Sequence, residues 1–247
     1  MALHGARIAV TGATGFVGRH LVPLLAAQGW QVRVLARSEP AHTLWLDTRP
    51  EVVLGSLSDA AALERLVSGA DAVLHLAGAI KARDSAEFLR INRDGTTAVA
   101  QATLRAAPKA HFLQVSSLAA REPSLSGYCA SKLAGEQQAL SLLGPERVSV
   151  IRPPAIYGPG DRETMVFFQL ASQRWVPLLG RPSARLAVIH VEDAVSALIA
   201  RLQAGPSGQV QGIADERPEG YSWQQILAAA AAAVGNHQPR FVQVPRP

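Results

Sequence analysis

Gly12, Gly15 and Gly18 stand at spacing G-x-x-G-x-x-G within T-G-A-T-G-F-V-G, residues 11 to 18. They fall where a short strand pattern, Arg7–Val10, passes directly into a helical pattern, Phe16–Gln28. So abrupt a turn needs a residue free to take positive φ, and close approach of backbone to a phosphate needs the absence of a Cβ. The free N–H groups at the start of the following helix then present themselves to an anion. The triad alone is weak evidence. Here it follows the first strand and opens the first helix of a βαβ unit, the context that dinucleotide binding requires. Gly18, already inside the helix, reads as a packing glycine between helix and sheet. The competing reading of the whole loop is a merely structural tight turn.

The rest of the chain repeats this alternation. Strand patterns at Gln31–Ala36, Glu51–Leu54, Ala72–Leu76, His111–Ser116 and Val148–Arg152 alternate with helical patterns at Ala60–Val67, Ala86–Ala106 and Tyr128–Leu143. Strands separated by helices imply right-handed crossovers, and so an α/β chain with a doubly wound parallel sheet of the Rossmann kind. After Pro153 the pattern loosens into helix Glu163–Gln173, strand Arg185–His190, helix Glu192–Gln203, strand Gln209–Ile213 and helix Ser222–Val234. The expected division is a dinucleotide-binding domain over residues 1–155, its sheet continued by later segments, and a small C-terminal α/β substrate lobe over 156–247 interleaved with it. Pro239 to Pro247 holds three prolines and reads as an extended tail.

Tyr128 and Lys132 lie four apart in G-Y-C-A-S-K-L, so on a helix they share one face. The chain holds only 3 tyrosines and 3 lysines, against 21 arginines, so the pairing is not a product of abundance. An ammonium beside a phenol favours the phenolate, which lets the tyrosine pass a proton at neutral pH; the expectation is that Lys132 lowers the Tyr128 pKa.

Composition closes off several classes. Hydrophobic residues make up 48% of the chain and the mean hydropathy is +0.12, yet no apolar stretch is long enough to span a bilayer. Met1 to Gly5 lacks the pattern of a signal peptide. One cysteine, Cys129, rules out an internal disulfide framework and points to a reducing, cytoplasmic setting. The net charge of +5 favours anionic ligands, but the arginines are dispersed, so no nucleic-acid partner is expected. No clustered Cys/His/Asp pattern suggests a metal, and no G-x-S-x-G elbow suggests a hydrolase.

The glycine spacing, the Tyr-x-x-x-Lys pair and V-S-S upstream of it together resemble the extended short-chain dehydrogenase/reductase superfamily. Its NAD-dependent epimerase/dehydratase branch is the nearest. V-L-H-L-A-G (73–78), I-N-R-D-G-T (91–96), I-R-P-P-A-I-Y-G-P-G-D (151–161) and V-I-H-V-E-D-A-V (188–195) extend the likeness over nearly the whole chain. The resemblance implies a catalytic set in which Tyr128 is the general acid–base, Lys132 also binds the nicotinamide ribose, Ser117 fixes the reacting oxygen and Asn92 supports the site. Ser116, adjacent, is the alternative to Ser117. It also implies cofactor contacts from Gly12, Thr14, Gly15, Phe16, Val17 and Gly18, from Leu76, Ala77 and Gly78 after the fourth strand, and from Pro153 and Ile156. Two copies of such chains pair through the long helices after strands four and five, so a homodimer is the implied assembly.

Arg37, at the end of the second strand, stands where an acidic residue would hold the ribose of NAD; an arginine there accommodates the 2′-phosphate, so NADP is favoured and NAD is the alternative. Ser56 departs from the acidic residue common near the adenine in this family, and Leu57 is left to supply backbone or apolar contact. The leading expectation is an oxidoreductase passing a hydride between NAD(P) and a small or medium alcohol or ketone. A nucleotide-sugar epimerase or dehydratase is the second reading. Dehydration is disfavoured because Leu118 and Ala119 replace the acidic pair that dehydratases carry, and the link of 11 residues from Ser117 to Tyr128 is short for a bulky sugar nucleotide. A non-catalytic dinucleotide-binding scaffold is the third, disfavoured by the tyrosine.

Overall fold

The computed structural model describes residues 5–41, 44–45, 48–178 and 181–244. The chain divides into two units: residues 1–153 with 194–213, and residues 154–193 with 214–247.

The first unit is built on a parallel sheet. Its strands are β1 (Arg7–Thr11), β2 (Gln31–Ala36), β3 (Glu51–Leu54), β4 (Ala72–His75), β5 (His111–Val115) and β6 (Val148–Arg152), joined by a seventh strand at Val210–Gly212. The order across the sheet is β3-β2-β1-β4-β5-β6 and then the seventh strand, with every neighbouring pair parallel. All of β4 and β5 is buried, as expected for strands covered on both faces, and the polar His75, His111 and Gln114 are buried in them among apolar neighbours. The order reverses between β1 and β4, where Thr11 pairs with His75; ligands of open α/β sheets bind in the crevice at such a switch point.

Helix α1 (Phe16–Ala27) follows β1 and α2 (Ala60–Val67) follows β3. Arg33 of β2 is buried, and its Nη1 donates to the carbonyls of Arg65, Leu66 and Ser68, so one guanidinium closes the C-terminus of α2. After β4 the expected single helix is broken into α3 (Ser85–Phe88), a π-helical turn (Leu89–Asp94) and α4 (Gly95–Ala106). A π-turn accommodates one residue more than an α-turn, and such turns cluster at functional sites. Helix α5 (Gly127–Leu143) carries Tyr128 and Lys132, and Ser126 caps it by accepting from the Cys129 N–H. Val99, Ala100, Ala139 and Leu143 from α4 and α5 pack with Phe112, Val148 and Val150 of β5 and β6 in one buried cluster.

In the second unit, short strands Ala155–Tyr157 and Val188–His190 pair in parallel, and Arg185–Leu186 pairs antiparallel with Tyr221–Ser222. The expected strand Arg185–His190 is thus two strands with different partners. Helices Met165–Ala171 and Trp223–Ala233 pack around Ala171, Val176, Leu227, Ala230 and Ala231. The tail differs from expectation: Arg240–Gln243 is a strand paired in parallel with Trp175–Leu178. Residues 245–247 lie outside the described residues.

Candidate active site

The first component is the β1–α1 turn. Gly12 has φ of +73°, and a Cβ on it would stand 2.7 Å from the Ala77 nitrogen, so the glycine lets β1 and β4 end against each other. Gly15 is the N-cap of α1, with no side-chain cap and no acidic residue in the first turn. A Cβ at Gly18 would overlap the Gly12 carbonyl oxygen and Ala13, so this glycine packs helix against loop. An uncapped helix N-terminus behind a turn held tight at Gly12 and Gly18 can take a pyrophosphate. Thr14 lies in the same turn, and Phe16 and Val17 open α1.

The second component is the end of β5 with α5. Ser116 and Ser117 follow β5 and point opposite ways, as successive residues of extended chain do. The buried Ser116 hydroxyl donates to Glu136 Oε1. Ser117 lies close enough to the Tyr128 side chain to draw the phenol's pKa down, and its Oγ accepts the Ala119 N–H at 3.2 Å. Ser116 is thus engaged by Glu136, and Ser117 is the serine that acts on the phenol. Phe88 meets the Tyr128 ring edge-on, with centroids 5.7 Å apart.

The proton chemistry differs from expectation. Burial pushes the Tyr128 pKa up, with the Ser117 hydrogen bond acting against it. Lys132 is buried, and its Nζ donates to the Val115 carbonyl at 2.9 Å. Burial lowers the ammonium's pKa to about 8, with Glu136 acting against the fall. In the protein alone, then, Ser117 rather than Lys132 favours the phenolate.

Asn92, buried in the π-turn, acts as a clamp. Its Nδ2 donates to the Ala79 carbonyl (3.0 Å) and to Ser131 Oγ (2.9 Å), and its Oδ1 accepts the Ala79 N–H at 2.7 Å. The turn after β4, with Leu76, Ala77 and Gly78, is thereby fixed to α5. A Cβ on Gly78 would stand 2.9 Å from Asn92 Oδ1 and 3.6 Å from Lys132 Nζ, so this glycine leaves room directly beside the ammonium.

Three residues that sequence reasoning did not single out complete the arrangement. His75 is fully buried, and burial lowers its pKa to about 3, so the ring is neutral. Thr96 Oγ1 donates to the Asn92 carbonyl at 2.6 Å, so it must accept from His75 Nε2 at 3.0 Å. Nδ1 is then the acceptor for the Thr11 hydroxyl at 2.7 Å, and Thr11 in turn accepts the Ala77 N–H at 3.2 Å. One directed chain of hydrogen bonds therefore runs from the glycine turn to the π-turn. Glu136 and Arg152 form a buried ion pair, Arg152 Nε and Nη2 meeting the two carboxylate oxygens at 2.8 and 2.6 Å. The signal for Glu136 was present: an acid one helical turn after a lysine on the face that carries the tyrosine.

The remaining expected residues lie as follows. Arg37 is exposed at the end of β2. Ser56 bonds Ser58 Oγ at 2.9 Å, and Leu57 packs on Gly95, 2.8 Å from where its Cβ would be. The Pro153 carbonyl accepts the Leu118 N–H at 2.8 Å, joining the end of β6 to the segment after Ser117. Ile156 belongs to the second unit, paired with Ile189. There, too, Asp161 is spent on a turn, accepting from the backbone of Glu163 and Thr164, and Tyr157 packs edge-on against His190. Among the described residues no group of three or more His, Cys, Asp or Glu could hold a metal, and no helix is long and apolar enough to cross a membrane.

A parallel sheet with a glycine turn at its switch point, and a Tyr-x-x-x-Lys helix after its fifth strand, defines a Rossmann-type enzyme of the extended short-chain dehydrogenase/reductase superfamily. The chain belongs to the NAD dependent epimerase/dehydratase family, whose profile matches residues 8–214. It is 49% identical over 241 residues to a ceramide reductase of Caulobacter vibrioides, covering 97% of this chain and 74% of that one. It is 32% identical, over 86% of this chain and 69% of the relative, to the 4-hydroxy-2-methyl-3-oxo-4-farnesyl-3,4-dihydroquinoline-1-oxide ketoreductase of Stigmatella aurantiaca. MoeE5, solved with UDP-glucose and NAD, superposes with a TM-score of 0.76 at 26% identity, over 97% of this chain and 85–86% of that one across its two complexes. The chain is an NAD(P)-dependent oxidoreductase or epimerase.

Proposed function

We propose that this protein is a carbonyl reductase that prefers NADPH and acts on a ketone carried by a lipid, with ceramide-class lipids the first candidates. The observation that carries the reductase reading is the placement of Tyr128 beside Ser117 and one helical turn from the buried Lys132, whose Nζ is held by the Val115 carbonyl. Two curated relatives named as reductases support it. A bound reduced nicotinamide supplies the hydride. Ser117 donates to the substrate carbonyl oxygen and fixes its position. Tyr128, kept protonated by its burial, delivers the phenolic proton to that oxygen as the alcohol forms. Lys132 places a positive charge beside the phenolate that remains. Asn92 holds the Ala79 turn and Ser131 in register with α5, so that both sides of the site keep their spacing.

Arg37, exposed at the strand end where an acid would select NAD, supports the NADPH preference. The lipid assignment draws on the Caulobacter relative's name and on two exposed apolar side chains in site-flanking segments, Ile80 beside the Asn92-clamped turn and Leu125 three residues before Tyr128.

The test is spectroscopic. Purified protein is titrated with NADPH and NADH, then offered ketones from short alkanones to ceramide-class lipids while loss of nicotinamide absorbance is followed. Tighter NADPH binding and turnover confined to long-chain ketones are expected. NADH binding tighter than NADPH would overturn the cofactor assignment. Dinucleotide that co-purifies and shows no net redox with any ketone would favour an epimerase.

A further inference from the structure

Lys132 presents an electrostatic problem. A lone ammonium taken out of water is costly, and a buried lysine ordinarily gives up its proton. Its own hydrogen bond, to the Val115 carbonyl, supplies a dipole but no compensating charge. One helical turn further along α5, on the same face, lies Glu136, which is 2% exposed. Its carboxylate does not swing freely: Oε1 accepts from Ser116 Oγ and Arg152 Nε, and Oε2 from Arg152 Nη2.

Each partner of Glu136 is next in sequence to a residue of the site. Ser116 precedes Ser117, which meets the Tyr128 phenol, and Arg152 precedes Pro153, whose carbonyl holds the segment after Ser117. The Ser116 N–H also donates to the Ile151 carbonyl at 2.7 Å. One carboxylate therefore joins α5 to the ends of β5 and β6, and it lies one turn from Lys132.

Resting on the reductase reading, we propose that Glu136 is a positioning residue: pinned by Ser116 and Arg152, its charge holds Lys132 in the ammonium form, and its contacts keep Ser117 and Pro153 in register with Tyr128. The other groups around α5 do not supply that charge. His75 on β4 is buried and neutral, and Arg152 on β6 is of the wrong sign. Glu87 on α3 is paired with Arg83 and Arg90, Asp94 on the π-turn with Arg93, and Glu64 with Arg105 of α4. Arg121 and Glu122, before α5, are exposed. The direction of the Glu136 effect on Lys132, upward against burial, agrees.

The chain has three lysines, Lys81, Lys109 and Lys132, so protein labelled with 13C at the lysine ε-carbon gives three resonances, and Lys132→Arg assigns the buried one. The titration midpoint of Lys132 is read directly, without substrate or dinucleotide, so failure of the reductase assignment would leave this result standing. Glu136→Gln is expected to lower the midpoint by about one pH unit. Arg152→Gln opens the same clamp but leaves the carboxylate, and is expected not to lower it. A midpoint that stays put in Glu136→Gln, or falls equally in both variants, would overturn the proposal; the latter would mark a purely structural clamp. Should Glu136→Gln lose its near-ultraviolet dichroism, the double variant Glu136→Gln/Arg152→Gln, which leaves neither member of the ion pair without its partner, is compared with Arg152→Gln alone; a lower midpoint in the double variant is expected, and no fall between those two would again overturn the proposal.

Discussion

Tyr128 stands beside Ser117, which draws the phenol's pKa down, while Lys132 one turn along directs Nζ to the Val115 carbonyl. Burial raises the Tyr128 pKa and Ser117 opposes that rise, so the two residues set the phenol's acidity between them. Tyr128→Phe should lower kcat by about 10²–10⁴ while dinucleotide affinity holds. Ser117→Ala removes the group that favours the phenolate. In the alcohol-oxidation direction, where the phenolate is the base, the rising limb of the pH–rate profile should therefore move to higher pH. A profile that drops in height without moving would contradict this.

The glycine turn separates packing from ligand approach. Gly18 is already in contact with the loop, so Gly18→Ala should overpack it, costing about 1–3 kcal/mol. For a chain of this size that lowers Tm by about 2–4 °C per kcal/mol. Gly15 has an ordinary φ of −77°, and a Cβ there would lie 3.2 Å from the Gly12 carbonyl oxygen. Gly15→Ala should leave Tm nearly unchanged but weaken NADPH binding by about tenfold, or ~1.4 kcal/mol. Thermal melts and fluorescence titration of the two variants check the contrast.

The sheet was legible because its signals are local. β1 and β4 each hold a contiguous apolar run, Ile8–Val10 and Ala72–Leu74, the pattern expected of strands covered on both faces. Tyr128 and Lys132 were legible because helical spacing alone puts them on one face. The strand Arg240–Gln243 was not, because its partner Trp175–Leu178 lies more than 60 residues earlier and neither segment alternates. The π-turn at Leu89–Asp94 was not, because it is fixed by contacts distant in sequence, those that Asn92 makes with Ala79 and Ser131, and not by the local pattern. The direction of the Tyr128 shift was misread because spacing gives proximity and says nothing of desolvation.

Asn92 should matter for stability as well as rate. Asn92→Leu, close in volume, would leave the Ala79 N–H, the Ala79 carbonyl and Ser131 Oγ without this partner. An orphaned buried polar group costs about 1–3 kcal/mol, so a loss of at least ~2 kcal/mol is expected in denaturant unfolding. Hydrogen exchange at the Ala79 amide should rise well above that of β4 itself. Unchanged protection at Ala79 would show that the clamp is dispensable.

Two buried histidines give the protein an acid limit. Burial lowers His75 to about 3 and His111 to about 4, from a value of 6.5 in the unfolded chain. Above pH 6.5 both states are neutral and stability is flat. As pH falls from 6.5 towards about 4, the unfolded chain takes up two protons that the folded state refuses, so stability is progressively lost. Each proton contributes a slope of ~1.4 kcal/mol per pH unit. Unfolding free energy measured between pH 6 and pH 4.5 should therefore fall about twice as steeply as one histidine allows, beyond any contribution from carboxylates. His111→Gln should remove about half of that slope, since glutamine can replace the contact that His111 Nε2 makes with Ser149 Oγ. His75→Gln should cost more at neutral pH, because His75 has to accept from Thr11 and donate to Thr96 at the same time, and those bonds link the glycine turn to the carbonyl of Asn92. Equal stability of the two variants at pH 7 would contradict the directed chain through His75.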